Sequence, residues 1–586
     1  MKRETKKASL TKQCGIDHHE AGLRLDVLSQ YAPLQIAIMN RVLRLHPEDN
    51  VLVALQDLRK GENVDVSGQQ FPIQSHVPAK HKFAAHDLAP GSAVVMYGVV
   101  VGKATKPIRV GEIITTANTG HETSSYGRRS AAYRWTAPDF TRWLGTTFAG
   151  YRRADGQVGT RNYWLVVPLV FCENRNLKIL QQAFEEELGW ARPSLYRRQV
   201  GELVRLYQEG RAHEISAHPA RETSESPDGR RVFRNLDGIK FLVHEGGCGG
   251  TREDARNLSG LIAGYIHHPN VAGATVLSLG CQNAQVNMLQ HELRARNPGF
   301  SKPLLIFEQQ KDGLEFNMLS EAIRATFLGL VEADKIRREP VPLSYLRLGL
   351  KCGGSDGFSG ISANPAIGHT ADLVAALGGG AILSEFPELC GVEQNLIDRC
   401  IDEESANKFI HLMQSYAARA QAVGSGFDMN PSPGNIRDGL VTDAMKSAGA
   451  ARKGGSSPVT AVLDYPEYAI KPGLNLQCTP GNDVECVTAQ VGAGANVVLF
   501  TTGLGTPTGN PIAPVMKIST NSVLAKRMSD IIDVDTGGII SEQFTVEQMG
   551  EEILQKVVRA ASGEIHTKAE MRGQDDFIPW KRGVSL

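Results

Sequence analysis

The chain has 586 residues, 41% of them apolar and 22% charged, and its 63 basic and 63 acidic side chains leave a formal net charge of zero. That length favours about three or four domains with sizeable cores. The charge balance excludes a global field that would draw the chain to nucleic acid or an anionic membrane, so an acidic ligand has to be captured locally and small molecules are the expected partners.

Taken in chain order, residues 1–40 read as a basic N-terminal extension. They lack the apolar core and small-residue cleavage site of a secretory signal, and no run of about 18 apolar residues follows anywhere, which predicts a cytoplasmic protein without membrane contact. Residues 41–120 read as a small all-β module, because VLVAL (51–55), SAVVMYGVVVG (92–102) and EIITTA (112–117) are separated by Gly and Pro turns. Residues 121–148, rich in Ser, Thr, Arg and Tyr, read as a linker.

From Gly150 the texture changes. YWLVVPLVF (163–171), IKFLVHEGGCGG (239–250), ATVLSLGCQN (274–283), PLLIFEQQ (303–310) and LRLGLKCGG (346–354) each lead into a helical segment. Near-continuous apolar strands alternating with helices predict an α/β region with a largely parallel sheet and right-handed crossovers. We divide it into 149–345, with a polar insertion at 189–236, and 346–586, where a helix and a second strand closing on Glu385 and Glu388 follow the strand at 346.

Nine cysteines, an odd number with no export signal, point to metal ligation or reactivity over a disulfide framework. Cys14, Cys400, Cys478 and Cys486 read as plain free thiols. Cys172, Cys248, Cys281 and Cys352 fall at or just past the carboxyl end of an expected strand, where open α/β sheets bind ligands. Thiolates there suit iron, an iron-sulfur cluster or zinc, whereas Glu385, Glu388 and His244 suit a harder divalent ion. There is no CxxC pair, so the set depends on the fold bringing distant loops together. In the loop CGGSDGFSG, glycines at 353, 354, 357 and 360 allow close backbone approach, and Ser355, Asp356, Ser359, Ser362 and Asn364 supply donors and acceptors for a hydroxyl-rich or anionic ligand.

Within the β module, HPEDN (46–50), AKHKFAAHDL (79–88) and MYGVVVGKA (96–104) resemble the SAF domain, a β-clip, that precedes the catalytic part of sugar-acid dehydratases. From Gly150 to about Gly538 the chain resembles the altronate and galactarate dehydratase family, leaning toward its altronate branch. The resemblance is carried by GYRRADGQVGTRNYW (150–164), HEGGCGG (244–250), HPNVAGATVLSLGCQ (268–282), CGGSDGFSGISANPAIG (352–368), LSEFPELCGVEQ (383–394), NPSPGN (430–435), PGLNLQCTPGNDVE (472–485) and LFTTGLGTPTGNPIAPVMKISTNS (499–522). It implies metal-dependent removal of water from an aldonic or aldaric acid, with ferrous iron or an iron-sulfur cluster as the cofactor, or manganese in its place, and it leaves a homo-oligomer open.

Under that resemblance the expected activity is dehydration of D-altronate or a close hexonate to a 2-keto-3-deoxy acid. Galactarate dehydration and a sulfolactate-type sulfo-lyase stand as alternatives, and a non-catalytic sugar-acid-binding regulator as the reading from another class. The expected metal ligands are Cys172, Cys248, Cys281 and Cys352, with His46, His244, Glu385 and Glu388 as the alternative shell. His244 is the first candidate base, ahead of Lys351 and Glu388. Backbone groups of Gly353, Gly354, Ser355 and Asp356, with Thr502 and Gly503, are expected to hold the carboxylate, and Asn364, Asn435 and Asn482 to read hydroxyls. Four positions depart from the family pattern: Gln282 stands for a carboxylate, Leu504 for an Arg, Thr508 for an aromatic residue and Met96 for a basic one. The loss of an Arg beside a carboxylate substrate removes a bidentate contact, which another basic residue has to replace.

Overall fold

The computed structural model describes residues 40–130, 132–191, 195–219 and 231–585. The expected extension at 1–40 lies outside them except for its last residue, as do Cys14 and the segment RETSESPDGR of the expected insertion.

The N-terminal module is built from short antiparallel strands. Val42–Leu43, Val51–Ala54 and Lys82–Ala84 form one small sheet, Asn63–Val66 pairs with Gln69–Pro72, and Ala93–Met96, Val99–Ala104 and Thr119–Gly120 form a third. Two of its hairpins turn on the pairs Ser67-Gly68 and Tyr97-Gly98, with φ of 53° and 84° and of 60° and 73°. Positive φ at both central residues is the two-residue turn whose twist matches the flanking strands.

Two wholly parallel sheets follow. The smaller has the order Gly238–Phe241, Tyr163–Pro168, Val271–Ser278, Leu304–Glu308. The larger has seven strands: Val459–Leu463, Gly473–Gln477, Gly380–Leu383, Arg347–Cys352, Val497–Thr502, Val515–Ser519 and Val534–Asp535. A three-stranded antiparallel ribbon of Val158–Gly159, Thr147–Arg152 and Arg338–Pro342 lies where the two units join. The strands expected at 163, 239, 274, 303 and 346 are present; those at 163, 239 and 274 end before the loop that carries the cysteine, that at 303 runs into the helix Gln309–Asp312, and that at 346 ends on Cys352 itself. The expected insertion contains a helix, Leu195–Gln208. Among the described residues no helix is long and apolar enough to cross a membrane.

Close backbone contacts join the layers. Fully buried Trp164 sits between Gly273 and Gly329, where an added Cβ would come within 2.5 and 2.1 Å of its ring. The helices Arg252–His267 and Asp483–Gly492 meet at Gly264 and Gly492, so that a Cβ on Gly264 would stand 2.1 Å from the Gly492 carbonyl oxygen. One apolar cluster runs from Leu165, Leu261 and Tyr265 into Val491, Phe500 and Ile512, and another joins Val94, Met96 and Val101 of the β module to Ala444, Met445 and Ala448. Met96 is therefore a core residue, which explains an apolar side chain at that departure. Both sheets open their carboxyl edges toward one side: the backbone N–H of Arg582 donates to Asp254, at the start of the helix after Cys248, while its guanidinium pairs with Asp464, just past Val459–Leu463.

Candidate active site

At the carboxyl edge of the seven-stranded sheet, Lys351 and Cys352 end one strand and Glu385 follows the next. Glu385 is held in the left-handed region at φ 68°. For a residue with a side chain this costs about 1–3 kcal/mol and persists only where the surroundings enforce it. The enforcement is visible: the Glu385 N–H donates to Thr479 Oγ1 at 3.0 Å, and its carboxylate is gripped by two lysines. Lys351 pairs with Glu385 and, at 3.0 Å, with Asp483; Lys453 stands 2.5 Å from Glu385 Oε2 and 2.7 Å from Cys352 Sγ; Lys446 pairs with Glu388 at 2.7 Å. Cys352 Sγ is 3.4 Å from Glu388 Oε2.

All six of Lys351, Cys352, Glu385, Glu388, Lys446 and Lys453 are buried. Burial pulls each lysine toward neutrality and its acidic neighbours outweigh it, Glu385 first for Lys351, Glu388 first for Lys446, and Cys352 then Glu385 for Lys453, so all three are held above their ordinary value. Burial also pushes Glu388 up, but Lys446, Lys351 and Lys453 bring it well below the carboxylate range. The Cys352 thiol is driven by burial, and then by Glu385, up to about 12. It is therefore a neutral SH amid fixed charges. Beside Glu388, Asp443 is raised far above its ordinary value by burial and then by Glu388 itself, which makes it a neutral acid.

Cys352, Glu385 and Glu388 form, among the described residues, the one His, Cys, Asp and Glu group with ligand atoms within 4.8 Å of one another. Their chemistry does not suit a resident dication. Three ammonium groups already neutralise the two glutamates, and Lys453 lies between two of the donor atoms, so an ion there would meet cations at contact distance.

The other three strand-end thiols differ. Cys172, Cys248 and Cys281 are exposed and lie on loops after three neighbouring strands of the smaller sheet. Backbone hydrogen bonds from Phe171 to Gly246 at 3.0 Å and from Asn283 to Gly247 at 2.8 Å tie these loops together within two residues of each cysteine. Gly247, at φ 96°, is the contact point, since a Cβ there would stand 2.0 Å from the Leu169 carbonyl oxygen. Gln310, from the fourth strand end, donates to Cys281 Sγ at 3.3 Å. Cys172, Cys248 and Cys281 are open thiols on loops that the backbone ties together. The expected four-thiol set thus divides: Cys352 belongs to a different sheet and is engaged by Lys453.

Several expected site residues have other work. His244 is buried, its Nδ1 accepts from the Gly246 N–H at 3.1 Å, and Nε2 donates to the Pro168 carbonyl at 2.8 Å, so neither ring nitrogen is free to act as a base; burial lowers its pKa to about 4. His46 is exposed on the β module beside Gly98. Asn364 accepts from Thr501 at 2.6 Å and donates to the Gly449 carbonyl, while Asn435 donates to the Ser355 carbonyl and closes a capping box with Ser432. Thr502 Oγ1 accepts from Gly505, and Gly503 donates to the Gly354 carbonyl. Asn482 alone of the three asparagines is exposed, at the mouth of the lysine cluster next to Asp483.

The glycine-rich loop seats the β module. Its N–H groups at 353, 356, 357, 358 and 359 are bonded within the protein. A Cβ on Gly357 or Gly360 would come within 2.2 Å of the Lys80 carbonyl or 2.3 Å of the Tyr97 hydroxyl. Lys80, at φ 75°, pairs with buried Asp356 at 3.0 Å and with Asp438 at 2.8 Å, and Asp356 also accepts from Thr520. The Thr442 hydroxyl donates to the Val101 carbonyl, so the module also braces the helix Asp443–Ala451 that carries Lys446.

A β-clip-like module, a small parallel sheet with an open thiol rim and a large parallel sheet with a buried acid-base cluster define an α/β enzyme of three parts. Three family models match these parts in order: the altronate/galactarate dehydratase SAF domain at 40–122, the D-galactarate dehydratase/altronate hydrolase second domain at 150–334, and the D-galactarate/altronate dehydratase C-terminal region at 343–585. The chain is 32% identical over 551 residues to altronate dehydratase of Bacillus subtilis (strain 168), covering 94% of this chain and 100% of the relative. It is 34% identical over 548 residues to altronate dehydratase of Escherichia coli (strain K12), with 93% and 99% covered. To galactarate dehydratase (L-threo-forming) of the same organism it is 29% identical over 546 residues, with 91% and 94% covered. The chain belongs to the D-galactarate/altronate dehydratase family of lyases.

Proposed function

We propose that the protein is a hydro-lyase that converts D-altronate or a close hexonate to a 2-keto-3-deoxy acid. The observation that carries this reading is the buried cluster in which three lysines and two glutamates surround Cys352. Buried charges of this density are retained where a site has to meet charge that develops during reaction.

Dehydration takes the proton from the carbon beside the carboxylate and expels the hydroxyl of the next carbon as water; the resulting enol ketonises. Negative charge accumulates on the carboxylate side as the proton leaves. Lys351, Lys446 and Lys453, already oriented by Glu385 and Glu388, meet it without reorganising. Glu388, ionised and close to Gly481 at the cluster's mouth, is the acceptor for that proton, and Lys446 beside it is the donor toward the departing hydroxyl. They also supply the positive charge that the Leu504 departure removes. Asn482 is placed to bind a chain hydroxyl.

The fit of Cys172, Cys248 and Cys281 to a soft metal supports iron as the cofactor, in an iron-sulfur group or as a single ion. When bound it would supply a Lewis acid for the hydroxyl that leaves. Its residues would be those three thiols, with Gln310 orienting Cys281.

The test is anaerobic loading with iron followed by assay of aldonic, aldaric and sulfonated hydroxy acids for 2-keto acid. We expect turnover of a hexonate, loss of turnover with iron retained in Lys453→Met, and loss of iron from folded Cys248→Ser. Iron-loaded protein that turns over no acid, or an active Lys453→Met, overturns the reading.

A further inference from the structure

A cleft of about 340 Å³ opens at the opposite, amino edge of the sheets. That volume falls within the range of small-molecule sites. Its walls are the segments that precede Val271–Ser278, Arg347–Cys352, Gly473–Gln477 and Val497–Thr502, together with the turn of the ribbon at 155–158. A six-residue strand at about 3.3 Å per residue separates it from Cys352 by roughly 20 Å, so one small ligand cannot serve both places.

Three basic side chains stand at this cleft, Arg347 in its lining and Arg153 and Lys302 on the backbone of lining residues. Arg153 donates to the carbonyls of Pro269 and Arg161, Lys302 to those of His267 and His268 at 2.8 and 2.7 Å, and Arg347 to those of Ile470 and Lys471. His267, Pro269, Ile470 and Arg347 line the cleft itself. None of the three cations forms an ion pair with a described residue. Asp155 is the one carboxylate of the lining, and it is already held by Gln157 and Asn297. Arg153 is buried and Lys302 and Arg347 are half-buried; burial draws all three toward neutrality, Lys302 well below its ordinary value, so Arg347, which lines the cleft, is the charge an entering anion meets. Arg347 has five N–H donors, with two hydrogen bonds accounting for part of them. His267, held neutral by burial and then by Lys302, adds no charge of its own to the lining.

We propose that this cleft is a second binding site, distinct from the lysine cluster, for a small multivalent anion bearing carboxylate or phosphate groups. Because its walls come from both α/β units, occupancy ties the units together and gives the anion a route to influence the catalytic edge through the shared core.

Hydrogen exchange on the full chain at fixed ionic strength tests this, with citrate, inorganic phosphate and neutral glycerol as probes. One or both anions should slow exchange in 152–158 and 468–471, and glycerol should not; which anion does so identifies the class. Arg347→Gln should weaken the effect about tenfold or more, and Asp155→Asn, which removes the only lining carboxylate, should strengthen it. Absence of protection with both anions, equal protection by glycerol, or unchanged binding in both variants overturns the proposal. The readout needs no turnover, so it is independent of the dehydratase reading.

Discussion

Lys453 touches both Glu385 and Cys352 from a position with no solvent exposure to speak of. Its removal leaves a buried carboxylate short of a partner, which costs about 3–5 kcal/mol. Lys453→Met should therefore lower the urea midpoint and, in the fraction that stays folded, reduce turnover by at least about a hundredfold, the scale for one preorganised electrostatic group. Urea melts and kinetics on the same preparation check both; a stable, fully active variant would remove Lys453 from the site. Thiol reactivity offers a second check. Cys352, Cys390, Cys400, Cys478 and Cys486 are buried, whereas Cys172, Cys248 and Cys281 are exposed. A disulfide reagent applied to the metal-free native protein near pH 8 should label the exposed three first, and peptide mapping will show whether Cys352 remains unlabelled until denaturation. The thiols were legible because each follows an apolar run that could only be a strand. Lys446 and Lys453 were not, since MKSAGAARKGG reads as a helix with solvated lysines and nothing local says that its neighbour is Glu388. The four thiols divide for a related reason: strand-end position marks the edge of a sheet, and Cys352 ends a strand of the larger sheet while the other three follow strands of the smaller one.

At the level of elements, parallel strands were recognisable where the apolar run is unbroken, as in Tyr163–Pro168 and Val271–Ser278, all of whose residues are buried. Five strands of the large sheet were not read as strands. Gly473–Gln477 buries Asn475 and Gln477, and Val515–Ser519 buries Lys517, which donates to Gln574 at 2.6 Å. Polar residues satisfied by tertiary partners interrupt the pattern on which such a reading rests. Val497–Thr502 had the unbroken pattern and could have been found. Glycine signals misled in a definite way: at 357 and 360 the missing side chains admit the β module and not a ligand. The same logic makes Gly264 a point of leverage. Gly264→Ala would put a methyl group against the Gly492 carbonyl and force two helices apart, with an expected loss of about 1–3 kcal/mol. Ala at Gly201, where nothing lies within 4 Å, is the control. Equal urea midpoints for the two variants would mean that the helices separate without cost.

Across the whole molecule, the joint between the two α/β units runs through groups that acid will break. His268 is fully buried; its Nδ1 accepts from Asn270 N–H, and Nε2 donates to the Ala495 carbonyl at 3.0 Å across the joint. Burial, followed by loss of part of that effect to the Ala495 hydrogen bond, sets its pKa at about 3, and burial with Lys302 sets that of His267 at about 4, both below the ordinary 6.5. The unfolded chain therefore takes up these protons first. Stability contributed by the neutral rings is complete above about pH 6.5 and falls with pH, by about 1.4 kcal/mol per unit for each ring, until the folded values are reached. Protonated Nδ1 of His268 would face the Asn270 N–H, donor against donor, so the loss concentrates at the turn that sets the ring against Ala495, while Nε2 still donates to that carbonyl. His268→Asn should be less stable than the parent near pH 7 and should lose stability more slowly between pH 6.5 and 4.5, by about 1.4 kcal/mol per unit. Urea melts across that range decide it: parallel slopes for parent and variant would show that His268 titrates normally in the folded protein and that the joint is held by its apolar core alone.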